Sequence, residues 1–269
     1  MLRSVLQIIL TIRINMLIEG EYFILFLLFT MALFYSSVGH GGASGYLAIL
    51  SLTVYAEYDS GWLKQHVWAL NLVVAAIAFY HYKKAGFFNL KLTLPFVISS
   101  VPFAIVGGYM KVDGALYDTL LSLTLIWAAY KLYQVKDDYE SEIFALPSAS
   151  IAIPIGAIIG LMSGLIGVGG GIFLSPILLL KKWADPKTAA ATAALFIWVN
   201  SMAGLTGAGV SGQLVIDIEI LIPFIISVLI GGFVGSKYGS ENAHQSIIKK
   251  LLIVVLIIAS MKRIVSLIV

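Results

Sequence analysis

The chain has 269 residues, of which 60% are hydrophobic and 12% charged, with a formal net charge of +3 and a mean hydropathy of +0.98. That composition excludes an ordinary water-soluble domain and points to a polytopic membrane protein. There is no cysteine, and the four histidines (His40, His66, His81 and His244) form no H-x-x-H pattern, so disulfides, thiolate chemistry and a zinc motif are excluded.

Residues 1–19 combine a basic start with a short apolar stretch that Arg13 interrupts, and no small-residue cleavage site follows. They read as a leader or interfacial segment and not as a signal peptide. No charged residue occurs between Glu21 and Glu57. The resulting run, 22–56, is too long for one helix of the ~20 residues that cross ~30 Å of hydrocarbon. It carries a glycine cluster, YSSVGHGGASGY (35–46). Runs near 65–82, 92–110 and 114–133 each have the length of a single crossing. The polar linker YQVKDDYESEIFALPS (133–148) then divides the chain. A second overlong run, 149–180, is broken at GLIGVGGGIFLSP (164–176), and runs near 188–206, 214–236 and 247–267 follow.

The halves match. A shift of 128 places Gly39, Gly41 and Gly42 on Gly167, Gly169 and Gly170, and Leu94-Pro95-Phe96 on Ile222-Pro223-Phe224. With a one-residue slip, Asn71 falls on Asn200. Agreement at separated places under one shift indicates an internal duplication: a first transmembrane repeat at 20–132 and a second at 149–269. If each broken run were a simple crossing, the basic loops 83–91 and 181–187 would fall on opposite faces, against the positive-inside bias. If each is a hairpin or re-entrant pair, most lysines share one face, with Lys64, Lys111, Lys262 and Arg263 among those opposite. The fold expected is therefore an all-α polytopic membrane protein of two homologous halves. The halves are expected to be inverted repeats, each with a Gly-broken first helix or hairpin and three further transmembrane helices.

Paired, Gly-interrupted apolar segments are the sequence signature of a transporter's binding site. Unwound backbone in a bilayer is tolerated where it is buried in protein or lines a cavity. The helix after each break begins with orphan N–H donors at its positive dipole end, an anion site that needs no lysine or arginine. The candidate substrate-binding residues are Ser36, Ser37, Gly39, His40, Gly41, Gly42, Ser44 and Asn71 in the first half. In the second half they are Gly167, Gly169, Gly170, Gly171 and Asn200. Ser163, Thr192, Trp68 and Trp198 are further groups that could assist. Close helix packing is the competing reading of glycine, and it is the one assigned to the ridges Gly156-x3-Gly160-x3-Gly164 and Gly231-x3-Gly235-x3-Gly239. Consecutive glycines at 41–42 and 169–171 break a helix instead of docking it. His40, which faces Val168 in the repeat alignment, has three readings: a donor to an anion, a carrier of a coupling proton, or a neutral ring bonding a freed carbonyl.

GLIGVGGGIFLSPILLL, its looser partner YSSVGHGGASGYLAIL and the two-half layout together resemble the sulfite exporter TauE/SafE family, over roughly residues 20–267. The resemblance implies a multi-pass permease of the bacterial cytoplasmic membrane for sulfite, sulfonates or related sulfur-containing organic anions, working by secondary transport. No cofactor is expected. Carried over by position, its motif residues here are Gly39, His40, Gly41, Gly42, Gly167, Gly169, Gly170 and Gly171. The histidine departs from the simple repeat. The partners expected are the anion, a coupling proton or other ion, and the lipid bilayer. Nucleic acid is not among them, since no basic stripe carries interleaved aromatics. An ion channel or a cation carrier using unwound carbonyls is the alternative, weakened by the absence of Asp and Glu from both broken segments. An enzyme is not expected, because Ser163 and His40 lie in different halves with no orienting acid in sight.

Overall fold

A computed structural model describes residues 20–110 and 144–254, with single positions 130, 133 and 257 beyond them. The leader, almost all of the expected span at 114–133, most of the linker and the far part of the span at 247–267 lie outside the described residues.

Every regular element among the described residues is helical. Helix α1 is Gly20–Ser36, α2 is Ala43–Leu50, α3 is Ser60–Lys84 and α4 is Leu90–Tyr109. After the linker come α5 (Ala149–Ile166), α6 (Gly171–Leu180), α7 (Pro186–Val210) and α8 (Ile218–Lys237). A π-turn at Tyr238–Asn242 extends α8, and a further helix begins at 245. Five helices are long and apolar enough to cross a membrane: α3, α4, α5, α7 and α8 with its extension. Their outer faces carry exposed large apolar side chains, such as Ile98, Phe103, Ile158, Ile222, Ile226 and Phe233. A belt of that extent belongs against lipid.

Local signals place the helix ends. Asp59 caps α3 by accepting from Trp62 N at 2.8 Å, and Asp185 caps α7 by accepting from Lys187 N and Thr188 N at 2.9 and 3.0 Å. Pro186 follows at the first helical position, where its missing N–H costs no hydrogen bond. Left-handed Gly86 (φ +88°) and Gly212 (φ +70°) follow the ends of α3 and α7.

Glycine lets the helices approach closely. A Cβ at Gly156, Gly160 or Gly164 of α5 would strike the backbone of α4 at Phe96, Ser100 and Ala104. Gly231, Gly235 and Gly239, on α8 and its extension, meet α1 and the residue after it at Phe29, Leu33 and Ser37 in the same way. Small residues permit backbone contact where no hydrophobic force drives helices together in lipid. The two ridges are related: Gly107 lies on the Leu161 carbonyl, and Gly235 on the Leu33 carbonyl, each pair 128 positions from its counterpart. The first helix of each half therefore packs on the last described long helix of the other.

The order of contacts sets the helix directions. Contacts of α4 with α5, α1 with α8, α3 with α8 and α4 with α7 all advance together along both chains. Those of α3 with α7 run oppositely, from Trp68 on Gly204 and Asn71 on Ser201 to Tyr82 beside Ala190. Thus α1, α3 and α8 point one way and α4, α5 and α7 the other. Helices α2 and α6, of 8 and 10 residues, reach only about 12–15 Å and cannot cross a bilayer. In the first half α2 returns alongside α1: Gly45 lies on Met31, and Ser44 bonds Tyr35.

These directions place Lys83, Lys84, Lys91, Lys181 and Lys187 at one end of the bundle and Lys64 near the other. The chain carries no cysteine, so each introduced cysteine is unique. In sealed vesicles, Lys84→Cys and Lys181→Cys are expected to react with an impermeant maleimide from one side, and Glu57→Cys from the other. Labelling of all three from one side would overturn this arrangement.

Candidate functional site

Each break is made by glycine in the left-handed region: Gly39 and Gly42 at φ +75° and +99°, and Gly167, Gly169 and Gly170 at +86°, +73° and +81°. An L side chain held there costs about 1–2 kcal/mol. Gly42 and Gly170 are the N-caps of α2 and α6, and neither helix has a side-chain cap. In α6 Phe173 N bonds the Gly170 carbonyl at 3.1 Å, and no side chain caps the amides that begin either half-helix.

Both breaks rest on the crossing of α3 and α7. A Cβ at Gly169 would lie 2.8 Å from Ile197 Cγ2, 3.0 Å from Asn71 Nδ2 and 3.3 Å from Ser201 Oγ. One at Gly41 would strike the Asn71 amide and sit 3.1 Å from Ile197 Cγ2. The capped ends of α3 and α7 fix their correspondence at 126 positions (59 to 185, 85 to 211). In that frame Asn71 matches Ile197, and Lys64, packed on Gly167, matches Ala190, packed on Gly39. The slip that set Asn71 on Asn200 from sequence is thus not the structural register. From the start of α2 to the start of α3 the first half has two residues more than the second (43 to 60 against 171 to 186), which resets the frame.

A narrow cavity lies between the breaks. It is lined by Tyr35, His40 and Ser44 from the first half and Val168, Ile172 and Ile197 from the second. The free space is on the order of one water molecule. Tyr35 Oη lies 2.8 Å from Ser44 Oγ, and His40 Nε2 lies 2.9 Å from Ser175 Oγ on α6. Asn71 Nδ2 donates to Ser201 Oγ at 3.3 Å. No charged side chain lines this cavity. Lys64 reaches the second break from the side, donating from Nζ to the Leu165 carbonyl at 3.3 Å near the end of α5.

Several buried polar atoms have no hydrogen-bond partner: His40 Nδ1, Asn71 Oδ1, Trp68 Nε1, Ser163 Oγ and both amide atoms of Asn200. Their side chains are 0–2% exposed. Leaving such groups unpaired costs about 1–3 kcal/mol each. Of these, His40 Nδ1 lies in the first break, Asn71 Oδ1 lies against Gly41, and Ser163 is one turn before Gly167.

The structure thus brings Gly39, His40, Gly41, Gly42, Ser44, Asn71, Gly167, Gly169, Gly170 and Gly171 around one region. It places Ser36 and Ser37 elsewhere. Their hydroxyls donate to the Leu33 and Phe34 carbonyls at 3.4 and 2.6 Å, and the two residues face Gly235 and Gly239. Asn200 is fully buried on α7, one turn before Gly204, which carries the indole of Trp68. Tyr35, Ser175, Ile197 and Ser201 belong to the site and were not singled out from sequence. Ser175 sits one turn into the helix after the second break, which is the only signal it offered. Among the described residues no group of three or more His, Asp or Glu could hold a metal ion.

Comparison with known proteins agrees with a transport architecture. A family model described as "Sulfite exporter TauE/SafE" matches residues 23–263. A probable membrane transporter protein, y4hK, of Sinorhizobium fredii (strain NBRC 101917 / NGR234) is 32% identical over 238 residues, covering 87% of this chain and 94% of its own. A probable membrane transporter protein of Bacillus subtilis (strain 168), YunE, is 26% identical over 203 residues, covering 68% and 72% of the two chains. No solved structure matches.

The unpaired amide of Asn200 makes a stability test. Asn200→Leu, nearly the same shape without polar atoms, is expected to raise the melting temperature in detergent, recovering about 1–3 kcal/mol of desolvation cost. A lowered melting temperature would mean that the amide is satisfied in the working protein.

Proposed function

The chain belongs to the sulfite exporter TauE/SafE family, and from that premise we propose that it is a secondary permease moving sulfite, sulfonates or related sulfur-containing anions. It is a multi-pass membrane protein of a transporter family. The cytoplasmic membrane of a bacterium is its proposed location. The two halves are proposed to be inverted across the bilayer and to rock about the shared site for alternating access. The antiparallel course of α3 and α7 supports the inversion, and the gathering of basic loops at one end agrees with a cytoplasmic face there.

One observation carries the anion reading. Two half-helices begin at breaks that rest on the same pair of residues, Asn71 and Ile197, and the cavity between them holds no charged side chain. Uncapped helix N-termini supply amide donors and a positive dipole end. The three oxygens of a sulfite or sulfonate head can accept from several such donors at once. A cation would need carboxylates or converging carbonyls, and no carboxylate lines the cavity. The small volume describes an occluded form, which must open toward one side before a solute enters.

The test is ligand-dependent thermal stability in detergent with the sodium salts of sulfite, sulfate, taurine, sulfoacetate and acetate. Binding to the native state stabilises it as RT ln(1 + [L]/Kd), about 2.7 kcal/mol at a hundredfold excess over Kd. A selective response to a sulfur oxyanion is expected. A flat response to all five would overturn the reading. In proteoliposomes Gly169→Ala is expected to lose transport at least about tenfold, since it adds backbone strain of about 1–2 kcal/mol and a contact in the site. Gly212→Ala carries similar strain (φ +70°) in open space and is expected to transport normally.

A further inference from the structure

The two breaks differ by one titratable side chain, His40, which stands where the second has Val168. The ring is 2% exposed and lines the cavity. Its Nε2 pairs across the halves with Ser175 Oγ, the Gly171 backbone lies beside it, and Nδ1 has no hydrogen-bond partner. In the tautomer whose Nε2–H donates to Ser175 Oγ, Nδ1 is the bare nitrogen that can take a proton.

The surroundings decide what a proton there would need. From α1 the ring faces Tyr35, at 6.5 Å between centroids, whose hydroxyl is engaged with Ser44 of α2. Tyr46 of α2 packs behind Gly42. Helix α6 offers the Ser175 hydroxyl and α7 offers Ile197, while Asn71 of α3 reaches the neighbouring Gly41. No Asp, Glu, Lys or Arg lines the cavity. An imidazolium there would have no counter-charge from the protein, and a buried unpaired ion is costly. A bound anion has the same problem, with only amides and hydroxyls around it. Each ion removes the other's penalty.

We propose that His40 takes up one proton together with the anion, so that the carrier moves the two as a pair. This rests on the anion-permease reading. The proton comes from water on the loading side and binds the unpaired ring nitrogen. The new N–H donates to the anion. On the other side the anion leaves, and the proton returns to water. No other group changes protonation, and a monoanion crosses with no net charge moved. Thermodynamic linkage makes the coupling reciprocal: anion affinity must rise as pH falls, and proton affinity must rise when the anion binds.

The test is calorimetric titration of the intact protein in detergent, in buffers of different ionisation enthalpy, which reads protons taken up per ligand. The ligand is ethanesulfonate, whose charge is constant near neutrality, or sulfite, compared between wild type and His40→Asn to remove the ligand's own titration. Between the midpoints of the free and the anion-bound ring, uptake approaching one proton per anion is expected, with Kd falling roughly tenfold per pH unit lowered. His40→Asn is expected to bind weakly with no uptake and a flat pH profile. If that variant does not fold, Ser175→Ala serves: it keeps the ring, so proton uptake should persist with a displaced pH midpoint. Anion binding by wild type without proton uptake, or equal uptake in His40→Asn, would overturn the proposal and leave the permease reading intact. No binding of either anion at any pH would overturn both.

Discussion

A backbone inside hydrocarbon must have its N–H and C=O groups satisfied within the protein, and the two glycine breaks suspend that rule where α3 and α7 cross. The organisation described above depends on how the suspension is made tolerable. Gly41 and Gly169 lie against the same two side chains, Asn71 and Ile197, so the unwound segments are covered by protein on that side. The close approach requires the absence of Cβ atoms at the breaks. It also requires that the two long helices beneath them be placed within a few tenths of an ångström.

The glycine ridges supply that placement. In lipid there is no hydrophobic force between helices, so association depends on contact, and contact is greatest where backbones touch. Gly156, Gly160 and Gly164 draw α5 onto α4, and Gly231, Gly235 and Gly239 draw α8 and its extension onto α1. Each pairing joins one half to the other. The halves therefore cannot separate without breaking both ridges, yet the cavity between the breaks lies off these contacts.

No Asp, Glu, Lys or Arg lines the cavity, and several buried polar atoms, in the cavity and on the helices that carry the breaks, have no hydrogen-bond partner. His40 Nδ1, Asn71 Oδ1, Trp68 Nε1, Ser163 Oγ and the Asn200 amide are buried without partners. In a protein selected for stability alone such positions would be apolar. Their burial costs several kcal/mol in sum by the usual desolvation penalty of each. Between the glycines of the two breaks a histidine stands against a valine, and Ser44 stands against Ile172 in the cavity wall, so the two halves line the cavity differently.

The sequence alone determined the class, the spans within the described residues and the breaks. These follow from local rules that read directly: charge-free windows of membrane length, clustered glycines, and a 128-residue shift that survives in Gly39/Gly167 and Pro95/Pro223. Tertiary structure alone decided which polar groups meet. It moved Ser36 and Ser37 to the α1–α8 interface, because each hydroxyl folds back on its own helix and the residues face the glycine ridge. It joined Ser175 to His40 across 135 residues of chain, brought Ser201 to Asn71, and replaced the expected Asn71–Asn200 match by Asn71–Ile197. The physical reason is that helix register depends on loop length and on which faces pack. A two-residue difference in a connection turns a helix by about 200° at 3.6 residues per turn, and no local pattern records that rotation.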